Sequence, residues 1–128
     1  MNDDFWGEPI YEYSRRQAIA DGVLEDVSIF AREAGIIFPT AVTRRVWDEL
    51  VVPDEESRQE GQCESGRAWD ILWMLRMTVQ AGEAGDEVRF PVTFVASGNR
   101  RSKVMLKSIC RPDDDGGPCI TIMFEDED

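Results

Sequence analysis

The sequence predicts a single α+β domain, with about four helices packed on one face of a three-stranded antiparallel β-meander. Three observations predict it. Apolar residues recur at helical spacing through residues 14–81 and alternate one-in-two from Val88 onward. Capping residues and glycines punctuate the first part, at Ser14, Gly22, Ser28, Gly35, Ser65 and Gly82. Two turn-rich stretches, residues 97–101 and 113–118, divide the last third into three strand-length segments.

The elements follow in order. Ser14-Arg15-Arg16-Gln17 has the spacing of a capping box, and the helix it opens runs to Asp21 and stops at Gly22. Residues 23–27 read as a connector. Ser28 caps a second helix that Gly35 ends. Ile36-Ile37-Phe38 is β-like but is cut by Pro39, so it is at most a short edge strand. Thr40 starts a third helix to about Leu50, because Val42, Val46 and Leu50 recur every fourth residue beside Trp47. The polar stretch 53–64 reads as an acidic loop. Ser65 caps the longest helix, which ends near Ala81 and carries Ala68, Trp69, Leu72, Trp73 and Met77 on one face. Ile71, Met74, Leu75 and Val79 widen that face, so the helix is expected to be central and mostly buried.

In the last third, Val88, Phe90, Val92, Phe94 and Ala96 form one face of the first strand. Val104 and Leu106 continue it on the second strand, and Ile120, Ile122 and Phe124 on the third. Pairing of these faces sets Phe94 opposite Val104 and Leu106 opposite Phe124. That register brings Lys103 opposite Glu127, where opposite charges attract across strands.

The net charge of −12 is unevenly spread. Residues 88–112 hold six Lys/Arg and no Asp or Glu, while residues 113–128 hold seven acids and no base. A pI near 4.4 disfavours attraction to nucleic acid and to anionic lipid, and makes a cationic partner, or one that normally binds phosphates, the better expectation. The N-terminus lacks the basic and apolar regions of a signal peptide, and the apolar run from Ala68 to Val79 is too short and too interrupted to span a bilayer. With an odd set of cysteines, Cys63, Cys110 and Cys119, a cytoplasmic location with reduced thiols is expected. The chain has no histidine, which removes the usual general base and the commonest zinc ligand. No metal or cofactor motif is present, and composition does not fix the oligomeric state.

Several blocks together resemble a family of small acidic proteins carried by bacterial plasmids, phages and integrated elements. They are residues 11–27 (YEYSRRQAIADGVLEDV), Ala31-Arg32-Glu33-Ala34-Gly35, Phe38-Pro39, Ala41-Val42-Thr43-Arg44 with Trp47, Glu64-Ser65-Gly66-Arg67, Trp69-Asp70-Ile71-Leu72-Trp73, Asp113-Asp114-Asp115-Gly116 and Ile120-Thr121-Ile122-Met123. The family is one of unknown function, so the resemblance implies a bacterial, mobile-element context and assigns no residue a role.

Four candidate sites stand out. Tyr11, Tyr13, Arg15, Arg16, Asp21 and Asp26 form the densest polar block. It could be a recognition surface, or the centre of a histidine-free enzyme that uses Arg and carboxylates. Its structural reading is capping, with Arg15 paired to Asp21 or Asp26. Arg89, Arg100, Arg101, Lys103, Lys107 and Arg111 could contact nucleic acid, or be neutralised by the acidic tail. In the block 64–70, Ser65 as a nucleophile would need a nearby base, for which only carboxylates, Lys or Cys remain, and Arg67 and Asp70 are spaced to pair on a helix. Asp113-Asp114-Asp115-Gly116-Gly117 could offer oxygen ligands to a divalent ion, but reads better as a tight turn. Cys110 and Cys119 could be cross-strand neighbours. The remaining acids are scattered over loops and ends. They serve solubility, or mimic phosphates to occupy the basic groove of a nucleic-acid-binding protein. The expected function is therefore that of a mobile-element accessory protein that binds another protein.

Overall fold

The computed structural model describes residues 14–82, 85–96 and 100–127. Its helices are α1 (Arg15–Ala20), α2 (Ser28–Glu33), α3 (Arg44–Val46), α4 (Glu55–Gln59) and α5 (Glu64–Gln80). Its strands are β1 (Leu24–Asp26), β2 (Thr40–Thr43), β3 (Glu87–Ala96), β4 (Arg100–Pro112) and β5 (Pro118–Phe124). The fold is α+β, and the strands form one mixed sheet in the order β1-β2-β5-β4-β3.

The meander of β3, β4 and β5 forms as its alternation dictates, but β1 and β2 enlarge the sheet beyond three strands. Thr40 does not start a helix. Thr40–Thr43 lies parallel to β5, with Val42 opposite Ile122, and β1 pairs antiparallel to its other side. Val42 is buried as a strand residue and Val46 as a helix residue, so their fourfold spacing spans two elements. The helix begins after Thr43, whose hydroxyl caps Val46 N–H at 3.3 Å. It loosens at once into a π-turn over Trp47–Val51, closed by Val52 N–H on the Trp47 carbonyl at 2.9 Å.

Residues 36–38 form no strand. Ile36 N–H returns to the Ala31 carbonyl at 2.8 Å, closing α2 through Gly35 at φ +94°, and Ile37 stands 81% exposed. Val27 holds the cap position of α2, and Ser28 turns its hydroxyl to the Thr40 backbone. The stretch 53–64 is not all loop. Asp54 accepts from Ser57 N–H at 2.7 Å and so caps α4, whose Ser57 is buried. The long helix starts two residues earlier than a Ser65 cap allows, with Cys63 as its cap.

On α5 the fully buried positions are Ala68, Ile71, Leu72 and Leu75, which meet the Val88, Phe90, Val92 and Phe94 side of the sheet. This face is turned slightly from the tryptophans. Trp69 and Trp73 sit at its half-exposed margin, their rings stacked 5.1 Å apart, and Met77 and Val79 are exposed. The helices also do not share one face. α1 lies against the opposite side, where the Arg15 guanidinium donates to the Thr121 hydroxyl and the Ile120 carbonyl, both at 2.7 Å.

Within the meander, Leu106 opposes Phe124, but Phe94 opposes Ser102 and Val104 opposes Val92. The even slip of two residues leaves every side chain on its expected face. Lys103 does not meet Glu127. β5 ends at Phe124, and the Glu127 carboxylate folds back to accept from Phe124 N–H at 2.8 Å and the Thr43 hydroxyl at 2.9 Å. Cys110 and Cys119 lie in successive pairs, opposite Ile120 and Arg111 respectively, and so face opposite sides of the sheet as free thiols. Pro91 sits mid-way along the edge strand β3. The Cys110 N–H to Asp86 carbonyl bond fixes the ladder phase, which places residue 91 at a position whose amide would point away from β4.

Candidate functional site

The sequence-predicted block around α1 is partly gathered and partly spent. Tyr11 and Tyr13 lie outside the described residues. Ser14 caps α1 by accepting from Gln17 N–H at 3.0 Å, but Gln17 does not close the box. Its amide instead donates to Asp21 at 2.8 Å. Arg15 pairs with neither Asp21 nor Asp26, because its guanidinium is held on β5. Asp26 accepts from Ser28 N–H at 2.8 Å at the start of α2. Arg16 is exposed, 4.0 Å from both Asp114 and Asp115. Arg15, Arg16 and Asp26 nonetheless line a small cleft of about 210 Å³ beside residues 113–115. A wider groove of about 890 Å³ runs from Arg15 and Arg16 to Arg111 across Thr121 and Met123.

The acidic turn explains its own carboxylates. Asp113 accepts from Asp115 N–H at 2.8 Å and Gly117 N–H at 3.1 Å, and Gly116 takes φ +89°. Asp114 accepts from the backbone N–H groups of Arg15 and Arg16, both at 3.0 Å, and so ties the start of α1 to the far hairpin. These two bonds, that from Arg16 the larger cause, hold its carboxyl below the ordinary value of 3.8. A folded pKa below the unfolded one adds stability above the unfolded value and loses it as pH falls through the folded value. Acidification from 3.8 downward is therefore expected to loosen α1 from the hairpin, while Asp114→Ala, which removes both acceptors, releases it at neutral pH. Amide hydrogen exchange at Arg15 and Arg16, followed across that titration, checks this.

The basic residues form a line rather than a patch. Arg89, Arg101, Lys103, Lys107 and Arg111 alternate onto the sheet face turned away from α5. From Arg101 to Arg111 the strand extends roughly 33 Å. Arg89 is already bonded to Glu87 at 3.0 Å and Glu125 at 3.3 Å. Lys107, directly opposite Arg89, is only 8% exposed. Arg100 opens β4 opposite Ala96. The block 64–70 also resolves. Arg67 does not bond Asp70 but donates to Gln62 at 2.8 Å and the Leu50 carbonyl at 3.1 Å. Ser65 lies 3.4 Å from the Cys63 sulfur, and its hydroxyl, with Gly66 N–H, lowers the Cys63 thiol below its ordinary range.

The strongest assembly is one that sequence order conceals. Acids from four separated segments converge toward the end of the sheet where β2 and β5 finish. Arg44 bridges Glu25 and Asp48, and Arg45 joins Glu49 at 3.3 Å to Asp126 at 3.0 Å while stacking over Phe124. Arg89 ties Glu87 to Glu125, and Thr43 holds Glu127. Seven carboxylates thus surround three arginines, which leaves a net excess of four negative charges. The acids are not simply scattered, and exposed pairs of this kind fix where charge sits more than they stabilise a fold. The readable signal is Arg44-Arg45 placed four residues before Asp48-Glu49.

No family model, curated protein or solved structure matches the chain. Among the described residues no helix is long and apolar enough to cross a membrane.

Proposed function

We propose that this protein is a non-enzymatic accessory protein of a mobile element, which acts by presenting its carboxylate-rich end to the basic groove of a nucleic-acid-binding protein. The observation that carries this reading is the convergence of Glu25, Asp48, Glu49, Glu87, Glu125, Asp126 and Glu127 around Arg44, Arg45 and Arg89. Double-stranded DNA presents about one negative charge per 1.7 Å of its axis, and its protein partners carry matching Lys and Arg rows. Carboxylates held in fixed positions can occupy such a row without the ordering cost that mobile side chains incur. A salt-sensitive, electrostatically steered association follows. The competing nucleic-acid reading is weakened by the spread-out line of cations on β3 and β4, with Arg89 bonded to carboxylates and Lys107 buried.

The test is affinity capture from a bacterial lysate with the full chain and with the triple variant Asp48→Lys, Glu49→Lys, Asp126→Lys. The wild-type chain is expected to retain a nucleic-acid-binding protein that added duplex DNA displaces. The variant is expected to lose it. Retention unaffected by the three reversals, or by DNA, overturns the reading.

A further inference from the structure

We propose that the open end of the core, between the last turn of α5 and the sheet, is a binding site for an alkyl carboxylate, with Arg76 as the anion contact. The observations are independent of the acidic end. Helix α5 covers the sheet only as far as Leu75, and beyond it a groove of about 450 Å³ remains, a ligand-sized volume. Val88 and Ile120 floor it, and Ile37, Phe38 and Val79 stand exposed around its mouth. Large side chains left in water beside an unfilled apolar groove mark a site that gains by being covered.

One polar feature gives the ligand its chemistry. Arg76 is the single charged residue among the described lining residues. Its guanidinium is pre-positioned. It donates to the Ala34 carbonyl at 3.2 Å, lies over the Trp73 ring at 5.5 Å from the centroid, and packs where a Cβ on Gly35 would come within 2.8 Å. One hydrogen bond leaves most of its donor fork for a carboxylate. A carboxylate on Arg76 with its chain laid along the apolar wall uses the free donors and covers the groove. Any nonspecific attraction would favour the opposite choice, because a chain of net charge −12 draws cations.

Three single-chain probes of equal length separate these cases: decanoate, decanol and decyltrimethylammonium. Each is titrated into the full chain with tryptophan fluorescence as the readout, Trp73 lying under Arg76. Decanoate is expected to bind saturably with one molecule per chain, about tenfold or more tighter than decanol. Decanoate is also expected to slow alkylation of Cys110, which lines the groove, and to leave exposed Cys63 unaffected. Arg76→Met should bring decanoate down to the level of decanol. Since that variant also removes the bond to Ala34, Ile37→Glu provides a second check, because its site is exposed and a carboxylate there repels the ligand. Non-saturable binding, a preference for decyltrimethylammonium, or unprotected Cys110 overturns the proposal.

Discussion

Replacing Phe90 with alanine is expected to cost about 3–5 kcal/mol of folding stability. Phe90 is 0% exposed at the middle of β3, opposite Leu106, and it is the largest of the fully buried side chains between the sheet and α5. Truncation removes its transfer free energy and leaves a cavity that a strand on one side and a long helix on the other cannot collapse to fill. Domains of this kind are stable by only about 5–15 kcal/mol, so the loss is a large share of the whole. Urea denaturation measures the loss as a lowered midpoint at constant slope. Ile37→Ala is the matched control. It deletes apolar atoms that are already in water and is expected to change stability by less than about 0.5 kcal/mol. A loss under about 2 kcal/mol for Phe90→Ala would mean that the sheet and α5 are not packed as described.

The second large effect is expected at Gly35, where valine should cost about 2–3 kcal/mol. Two causes act together. The backbone stands at φ +94°, which a β-branched residue tolerates poorly, and the new Cβ would meet the Arg76 Cζ and Nη1 atoms at 2.8 Å. The guanidinium cannot yield without leaving the Ala34 carbonyl and the Trp73 ring. Gly61 separates the two causes, because it has φ +95° and a Cβ added there would meet nothing within 4 Å. Gly61→Val should therefore show the backbone cost alone. Equal losses at the two glycines, read by thermal denaturation, would remove the steric contribution assigned to Arg76.

What could be read from the sequence was local. Alternation from Val88 to Phe124 specified the meander, Ser14 and Gly22 bounded α1, and Gly35 ended α2, because each signal lies within a few residues of its effect. The elements that differ depend on distant partners. Thr40–Thr43 is a strand because β5 offers it a parallel edge about eighty residues later in the chain, and no short window carries that information. The β3–β4 register differs by two residues because alternation fixes which face a side chain takes and leaves even slips open. The same limit hid the acidic end. Glu25, Asp48 and Asp126 are ordinary where they stand in the chain, and only the meeting of β1, β2 and β5 joins them. Arg15 stands out within its block, but its partners Thr121 and Ile120 lie beyond any local pattern.

Pro91 has a consequence for how the molecules behave in a crowd. An incoming strand needs an unbroken row of amide donors along the rim it joins. On β3 that row is interrupted at its centre, so each half offers too few consecutive bonds to hold a foreign chain in place. One ring at a position that costs the native ladder nothing thus keeps a ten-residue border from serving as a template for polymerisation.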